Sequence, residues 1–179
     1  MSGSHELIRL LEPTEEFRDE FMRLLQEHQE AGENISNAEL ARRDFAAYLR
    51  HLHAHSQGRD LPAGYVPVTT FWLVKDNQMV LGESRLRHPL TPDLEAYWGH
   101  ISYRIRPTQR RQGYGTLILK LTLEQARTRS IARVRVICDQ DNIGSARIIE
   151  RNGGRLSGYG LDPGNGKRTA QYWIELEAS

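Results

Sequence analysis

The chain has 179 residues, of which 39% are hydrophobic and 26% charged, and its formal net charge at pH 7 is +1. This length suits one domain with a sizeable core, and the near-zero charge argues against a nucleic-acid-binding protein. A single cysteine, Cys138, excludes an intrachain disulfide framework. No apolar run approaches the ~20 residues of a membrane span and no secretion signal is recognisable, so we expect a cytoplasmic protein with no membrane partner.

The N-terminal third predicts one strand and two helices. Residues 6–11 alternate weakly between polar and apolar side chains and favour a strand. Apolar residues at helical spacing predict a first helix over about 14–31 and a second helix that Asn37 caps. The segment 57–67 contains two glycines and two prolines and predicts a loop.

Three antiparallel strands are expected next. Residues 68–74 are rich in β-branched and aromatic side chains, and an Asp76-Asn77 turn joins them to a hairpin partner over 78–87. After a connecting loop, residues 95–106 predict a long strand, which Pro107 ends.

The remaining segments alternate between helix and strand. A helix from Thr116 to about residue 130 precedes a strand over 132–139, a short helix over 142–151, and two strands over 155–161 and 169–176. Because a helix between two strands allows a parallel crossover, we predict an α/β or mixed α+β fold with one central sheet.

A loop with two glycines connects the predicted strand that ends at Pro107 to the helix from Thr116. Its sequence is Arg110-Arg111-Gln112-Gly113-Tyr114-Gly115. Backbone amides at a helix start lack partners and lie at the positive end of the helix dipole, and glycine lets a ligand approach the backbone closely. The loop therefore predicts a phosphate site, with a spacing that is neither a Walker loop nor a dinucleotide fingerprint.

Together with this loop, a second motif gives the chain a resemblance to the GCN5-related N-acetyltransferase (GNAT) family. That motif is Asp141-Asn142-Ile143-Gly144-Ser145-Ala146, and the helix end Arg151-Asn152-Gly153-Gly154 is also similar to the family. The resemblance covers residues 95–176 well, and the first 90 residues only in the order of elements. It is strongest to a branch of predicted acetyltransferases with unassigned substrates.

The resemblance implies a GNAT-like fold, in which a mostly antiparallel sheet flanked by helices contains a splayed parallel strand pair. It implies one domain over 1–179, with the acceptor side in 1–67 and the acetyl-CoA core in 95–154. The implied activity is direct transfer of acetyl from acetyl-CoA, a co-substrate, to a primary amine of a small molecule or protein. The resemblance also allows a homodimer. From the residues themselves we expect no metal, and the near-zero net charge argues against a nucleic-acid partner.

By the same resemblance, the pyrophosphate of CoA would bind the amides of residues 111–116, and the pantetheine arm would pair with the strand edge near Ile105 and bond to Asn142. The thioester would lie in the Ile105 region. The implied cofactor-binding residues are Tyr103, Ile105, Arg106, Arg110, Arg111, Gln112, Gly113, Tyr114, Gly115, Thr116, Asn142 and Ser145.

The catalytic residues of the family do not carry over. The tyrosine that often protonates the departing thiolate is replaced by Ile149, and the glutamate base of histone-modifying members falls at about Gly99. As base we predict His100, with Glu83 as the second choice. As acid we consider Tyr159 or Tyr103, or an unassisted thiolate.

Three alternatives remain open at this point. The first alternative is a non-catalytic acyl-CoA sensor, which the absence of the family's usual tyrosine favours. A basic cluster could bind nucleic acid or the adenosine phosphates of CoA, or form local ion pairs; its members are Arg104, Arg106, Arg110 and Arg111. His51 and His55 share a helix face but have no acidic or cysteine partner nearby, so we expect no metal site.

Overall fold

A single seven-stranded sheet organises the chain. The computed structural model describes residues 6–176, so the ends of the predicted domain, 1–5 and 177–179, lie outside the described residues. The strands are β1 (Ile8–Leu11), β2 (Val68–Lys75), β3 (Met79–Arg87), β4 (Ile101–Ile105), β5 (Arg133–Asp139), β6 (Arg155–Leu161) and β7 (Arg168–Glu175). The α-helices are α1 (Arg18–Glu30), α2 (Ala38–Arg43), α3 (Phe45–Ser56), α4 (Pro92–Tyr97), α5 (Tyr114–Thr128) and α6 (Ile143–Arg151).

The strand order is β1-β2-β3-β4-β5-β7-β6. Every neighbouring pair is antiparallel except β4 and β5, which are parallel and are connected through α5. The predicted mixed fold with one central sheet and one parallel crossover is therefore confirmed.

The parallel pair is joined only at its beginning. Ile101 is in register with Val136, and the His100 amide donates to the Arg135 carbonyl at 2.8 Å. No further register pair follows within the described chain, so β4 and β5 diverge toward their carboxyl ends. The wedge between them leaves one edge of β4 without a partner strand.

Helices cover both faces of the sheet. On one face, α1 and α3 pack on β2 through an aromatic cluster in which Phe21 stacks on Trp72 at 4.5 Å and on Tyr48 at 5.4 Å between ring centroids. On the other face, α5 and α6 pack against β4, β5 and β7, and Ile149 lies fully buried there. No helix in residues 6–176 is both long and apolar enough to cross a membrane.

One predicted strand is wrong in its first half. Residues 95–106 were expected to be extended throughout, but α4 occupies Pro92–Tyr97 and β4 begins only at Ile101. The Thr91 hydroxyl accepts from the Leu94 amide at 3.3 Å, and Pro92 stands in the first turn. This combination starts a helix, and it overrides the strand propensity of the aromatic residues that follow.

The second predicted helix is two helices. The helix is interrupted at Asp44, whose backbone is extended and whose Oδ1 accepts from the Ala47 amide at 2.8 Å. Asp44 is thus the cap that starts α3. Asn37 precedes α2 in a left-handed conformation, and its side chain makes no cap hydrogen bond.

Candidate active site

A cavity of about 460 Å³ opens where β4 and β5 diverge. Its walls come from β4, from the glycine loop and the start of α5, and from the start of α6. Seven of the twelve predicted cofactor residues line it: Tyr103, Ile105, Arg110, Arg111, Gly115, Asn142 and Ser145. The Asn142 motif thus lies next to β4, the glycine loop and the start of α5, which follow one another in sequence.

The glycine loop presents free amides at the start of α5. Gly113 precedes the helix at φ +88°, a conformation that favours glycine, and a Cβ built there would meet no atom within 4 Å. The amides of residues 111–116 donate no hydrogen bond within the described chain. Six unpartnered donors at the positive end of a fifteen-residue helix form a suitable site for a phosphate group.

The second glycine of the loop has a packing role. A Cβ on Gly115 would lie 2.6 Å from Cδ1 of Ile148 on α6, so a larger residue there would require the Ile148 side chain to move. The side chain of Tyr114 is buried below the loop, where its hydroxyl accepts from Lys75 Nζ at 3.5 Å. Gln112 and Thr116 are not among the residues that line the cavity, although their backbone amides belong to the group of free amides.

Two hydroxyl groups meet across the cavity. Tyr103 Oη lies 2.9 Å from Ser145 Oγ, which joins β4 to α6. Burial raises the pKa of Tyr103 to about 12, so the phenol is protonated at neutral pH. Asn142 caps α6 by accepting from the Ser145 amide at 3.0 Å through Oδ1, which leaves its side-chain NH₂ for a ligand.

The arginines near the loop are mostly held by other parts of the protein. Arg106 is buried, and its guanidinium bonds Glu27 at 2.7 Å and Glu20 at 2.9 Å, both on α1. It is therefore directed toward α1 and away from the loop amides. Arg104 donates to the Asn34 carbonyl at 2.8 Å. Among the alternatives for the basic cluster, local pairing describes these two residues.

Arg110 connects the glycine loop to the segment after α1. Its Nε donates to the Ile105 carbonyl at 3.0 Å, and its Nη2 lies 2.6 Å from Glu33 Oε2. Glu33, which also bonds His28 Nδ1 at 2.8 Å, lines the cavity. The hydrogen bond from Arg110 lowers the pKa of Glu33 to about 2, so this carboxylate is charged and a weak base.

His100 lies at the closed end of the splay, outside the cavity lining. Its Nδ1 accepts from the Arg135 amide at 2.9 Å, which places the ring proton of the neutral form on Nε2. Burial, with nearby cationic groups, lowers the pKa of His100 to about 4. In this tautomer neither ring nitrogen has a free lone pair, so the geometry favours His100 as a donor over a general base.

Glu83 lies on β3, one strand away from the splay, in register with Arg104. It is 1% exposed, and its Oε1 accepts from Arg85 Nε at 3.1 Å. Its Oε2 is buried without a partner in the described chain. A buried carboxylate oxygen with no donor is available to accept a proton.

The remaining acid candidate lies elsewhere. Tyr159 is on the edge strand β6 and is 55% exposed, outside the residues that line the cavity. Gly99 and Ile149 have structural roles: a Cβ on Gly99 would lie 2.7 Å from the Arg135 carbonyl oxygen, and Ile149 is a core residue. No cluster of metal-ligating side chains occurs among residues 6–176.

Sequence reasoning missed the contribution of the segment after α1. Glu33 and Arg104 line the cavity, as do Gln109 and Gly144. The last two lie within or next to the quoted motifs and could have been included. Glu33 is about 70 residues from β4 in sequence, and no local pattern indicates that it reaches the cavity.

Comparisons with known proteins agree with this geometry. A model of the acetyltransferase (GNAT) domain matches residues 8–155, whereas no curated protein matches the chain in sequence. A structure of RimL, the ribosomal L7/L12 alpha-N-protein acetyltransferase, in complex with coenzyme A is similar with a TM-score of 0.70 and 16% identity, over 96% of each chain.

Two further structures have the same fold. The microcin C7 self-immunity acetyltransferase MccE, in complex with acetyl-CoA and AMP, is similar with a TM-score of 0.69 and 15% identity, over 94% of this chain and 92% of its own. RimJ of Mycobacterium smegmatis, in complex with CoA-disulfide, has a TM-score of 0.70 and 16% identity, over 94% of this chain and 81% of its own.

Proposed function

Because the chain belongs to the GNAT acetyltransferase family, we propose that it transfers an acetyl group from acetyl-CoA directly to the primary amine of a small molecule or protein. The observation that carries this proposal is the cavity at the β4–β5 splay, which joins free loop amides to an unpaired strand edge. The complexes of RimL and MccE with CoA or acetyl-CoA support the choice of donor.

The cofactor would enter the wedge from its open end. Its pyrophosphate would accept hydrogen bonds from the amides of residues 111–116, and its pantetheine arm would pair with the free edge of β4. Because the strands meet at Ile101 and Val136, the acyl end would reach toward Ile101 and Tyr103, beyond the Ile105 position that the sequence suggested. The Ile105 carbonyl is already bonded to Arg110.

We assign the chain to one domain with two sides. The stretch 95–154 supplies β4, the glycine loop and the start of α6, which together would hold the cofactor. The stretch 1–67 supplies Glu33, and α1 and α3 cover the sheet face that carries Glu83. This face is where we place the acceptor.

Direct transfer needs a base for the amine and a proton for the thiolate. We assign the base to Glu83, acting through water, because its Oε2 is buried and unpartnered. We assign the acid to the Tyr103–Ser145 hydroxyl pair, which lines the cavity and takes the place of the tyrosine absent at position 149. A phenol that remains protonated until about pH 12 is a proton donor throughout the working range.

The activity itself is tested by incubating the protein with acetyl-CoA and a panel of amines, amino acids, aminoglycosides and peptides, and measuring release of the CoA thiol. We expect amine-dependent release with at least one class of acceptor. Tight CoA binding without turnover across the panel would contradict an enzyme and favour an acyl-CoA sensor.

The acid assignment predicts that Tyr103→Phe lowers kcat about 100-fold with unchanged affinity for CoA, since only the proton donor is lost. Ser145→Ala should lower kcat by a smaller factor. The double variant should be no slower than Tyr103→Phe alone, because both hydroxyls act as one unit. Additive losses in steady-state kinetics would contradict a shared donor.

A further inference from the structure

The sheet face opposite α5 carries an excess of positive charge next to the closed end of the splay. Residues 83, 85 and 87 alternate with Ser84 and Leu86, which are buried on the α5 side, and therefore share the opposite face. Arg104 lies on the same face as the register partner of Glu83. Glu83 is the one carboxylate among these four residues, and it is bonded to Arg85. Arg104 is bonded to a backbone carbonyl.

Arg87 is the arginine of this group whose guanidinium has neither an anion nor a hydrogen-bond acceptor among residues 6–176. No carboxylate of the described chain lies within ion-pair distance of it, and its Nη1 is buried with no hydrogen-bond partner. Burial and the neighbouring Arg85 lower the pKa of Arg87 to about 10, so it remains charged at neutral pH. An unpaired buried guanidinium lowers stability, which favours a role in binding a ligand.

Arg87 also lies at the correct end of the site. Its backbone amide donates to the His100 carbonyl at 2.8 Å, and the residue after His100 is Ile101, where β4 and β5 meet. The proposed function places the acyl end of the cofactor near Ile101. An amine that attacks it from this face would then lie close to Arg87, which is one or two residues along the strands from Ile101. Along β3 the spacing is about 3.4 Å per residue, so Glu83 lies ~13 Å from Arg87 with Arg85 between them.

We propose that the acceptor is an amine carrying an oxyanion, a carboxylate or a phosphate, which the Arg87 guanidinium binds while the amino group faces the acetyl thioester. This inference deepens the proposed function and rests on it. The planar fork of arginine donors matches both kinds of oxyanion. On transfer, the amide bond between the acetyl carbon and the amine nitrogen forms and the thioester C–S bond breaks. The amine proton passes to the base, and CoA leaves as its thiol after protonation by the acid. The anionic group takes no part in the chemistry.

The experiment compares pairs of acceptors of which only one member carries the anion, with kcat/KM expressed per concentration of neutral amine. Primary-amine L-amino acids are assayed against their amides, and phosphoethanolamine against ethanolamine, each with acetyl-CoA. We expect kcat/KM to be at least about tenfold higher for the anionic member of at least one pair, a difference typical of a charged bidentate contact. The two pairs distinguish a carboxylate from a phosphate.

Variants then connect the preference to the residue. Arg87→Met should remove the preference while leaving kcat/KM for the neutral member within about threefold, and Arg127→Met, at an exposed position on α5, should change neither. Because the Arg87 guanidinium has no partner among residues 6–176, its substitution should keep or raise the melting temperature. A fall of more than ~3 °C, the effect of about 1 kcal/mol in a domain of this size, would assign Arg87 a structural role and overturn the proposal.

Binding measured by calorimetry separates failure of this inference from failure of the proposed function. Anionic amines that bind in an Arg87-dependent manner but are never acetylated would contradict acetyl transfer and support the anion site. Equal binding and equal turnover of anionic and neutral members would overturn the anion site. Turnover with a preference for neutral or cationic amines would overturn the anion site and support acetyl transfer.

Discussion

Gly113→Asp is expected to weaken CoA binding about a thousandfold with the fold intact. The site of the new side chain is open space next to the free amides of residues 111–116. A carboxylate there would lie against the pyrophosphate, and two like charges ~4 Å apart near a protein surface repel by about 4 kcal/mol. Calorimetric titration with CoA measures the loss, and circular dichroism verifies the fold.

A matched variant separates charge at the site from backbone strain. Gly153 also has a positive φ, +85°, and open space around a built Cβ, but it lies at the end of α6 and outside the cavity lining. Gly153→Asp therefore introduces the same strain and charge elsewhere, and we expect it to bind CoA like the unaltered protein. If both variants bind CoA with unchanged affinity, the loop is not the phosphate site.

The sequence was sufficient where local patterns dominate the structure. The glycine loop, the helix that follows it and the short helix that begins after Asn142 are each determined by nearby residues, and all three occur as predicted. The prediction failed at residues 95–100, where Thr91 and Pro92 start a helix that competes with strand propensity. A capping hydrogen bond forms between residues close in sequence and needs no long-range contact. It therefore decides in favour of a helix in a segment whose side chains are compatible with either a helix or a strand.

The arrangement of charges in the site could not be predicted in the same way. Arg106 and Arg110 stand beside the glycine loop in sequence, which suggested phosphate ligands, but the carboxylates that hold them come from α1 and the segment after it. These pairs join residues about 80 positions apart, and only the packing of α1 against the sheet brings them together. Arg87 is the opposite case, because its lack of a partner among residues 6–176 becomes evident only from the three-dimensional structure.

The reactivity of the acceptor amine depends on Glu83, and Glu83→Gln is expected to lower kcat by 10²- to 10³-fold at pH 7, the usual range for loss of a general base. The amide can still accept from Arg85 through its oxygen, so the packing of this 1%-exposed side chain should be retained. Steady-state kinetics measure kcat and KM, and calorimetry should show unchanged affinity for CoA. Glu124→Gln, at an exposed position on α5, is the control for removing one negative charge.

The pH dependence distinguishes a base from a residue that merely maintains structure. An amine with an ordinary pKa near 10 is largely protonated at pH 7 and needs a base, whereas near pH 10 about half of it is already neutral. The defect of Glu83→Gln should therefore shrink as the pH rises from 7 to 10, because the step that the carboxylate assists is then completed in solution. A defect in kcat that is constant over this range would instead indicate that Glu83 positions Arg85 and Arg104. The amine proton would then have to leave by a route that does not include Glu83.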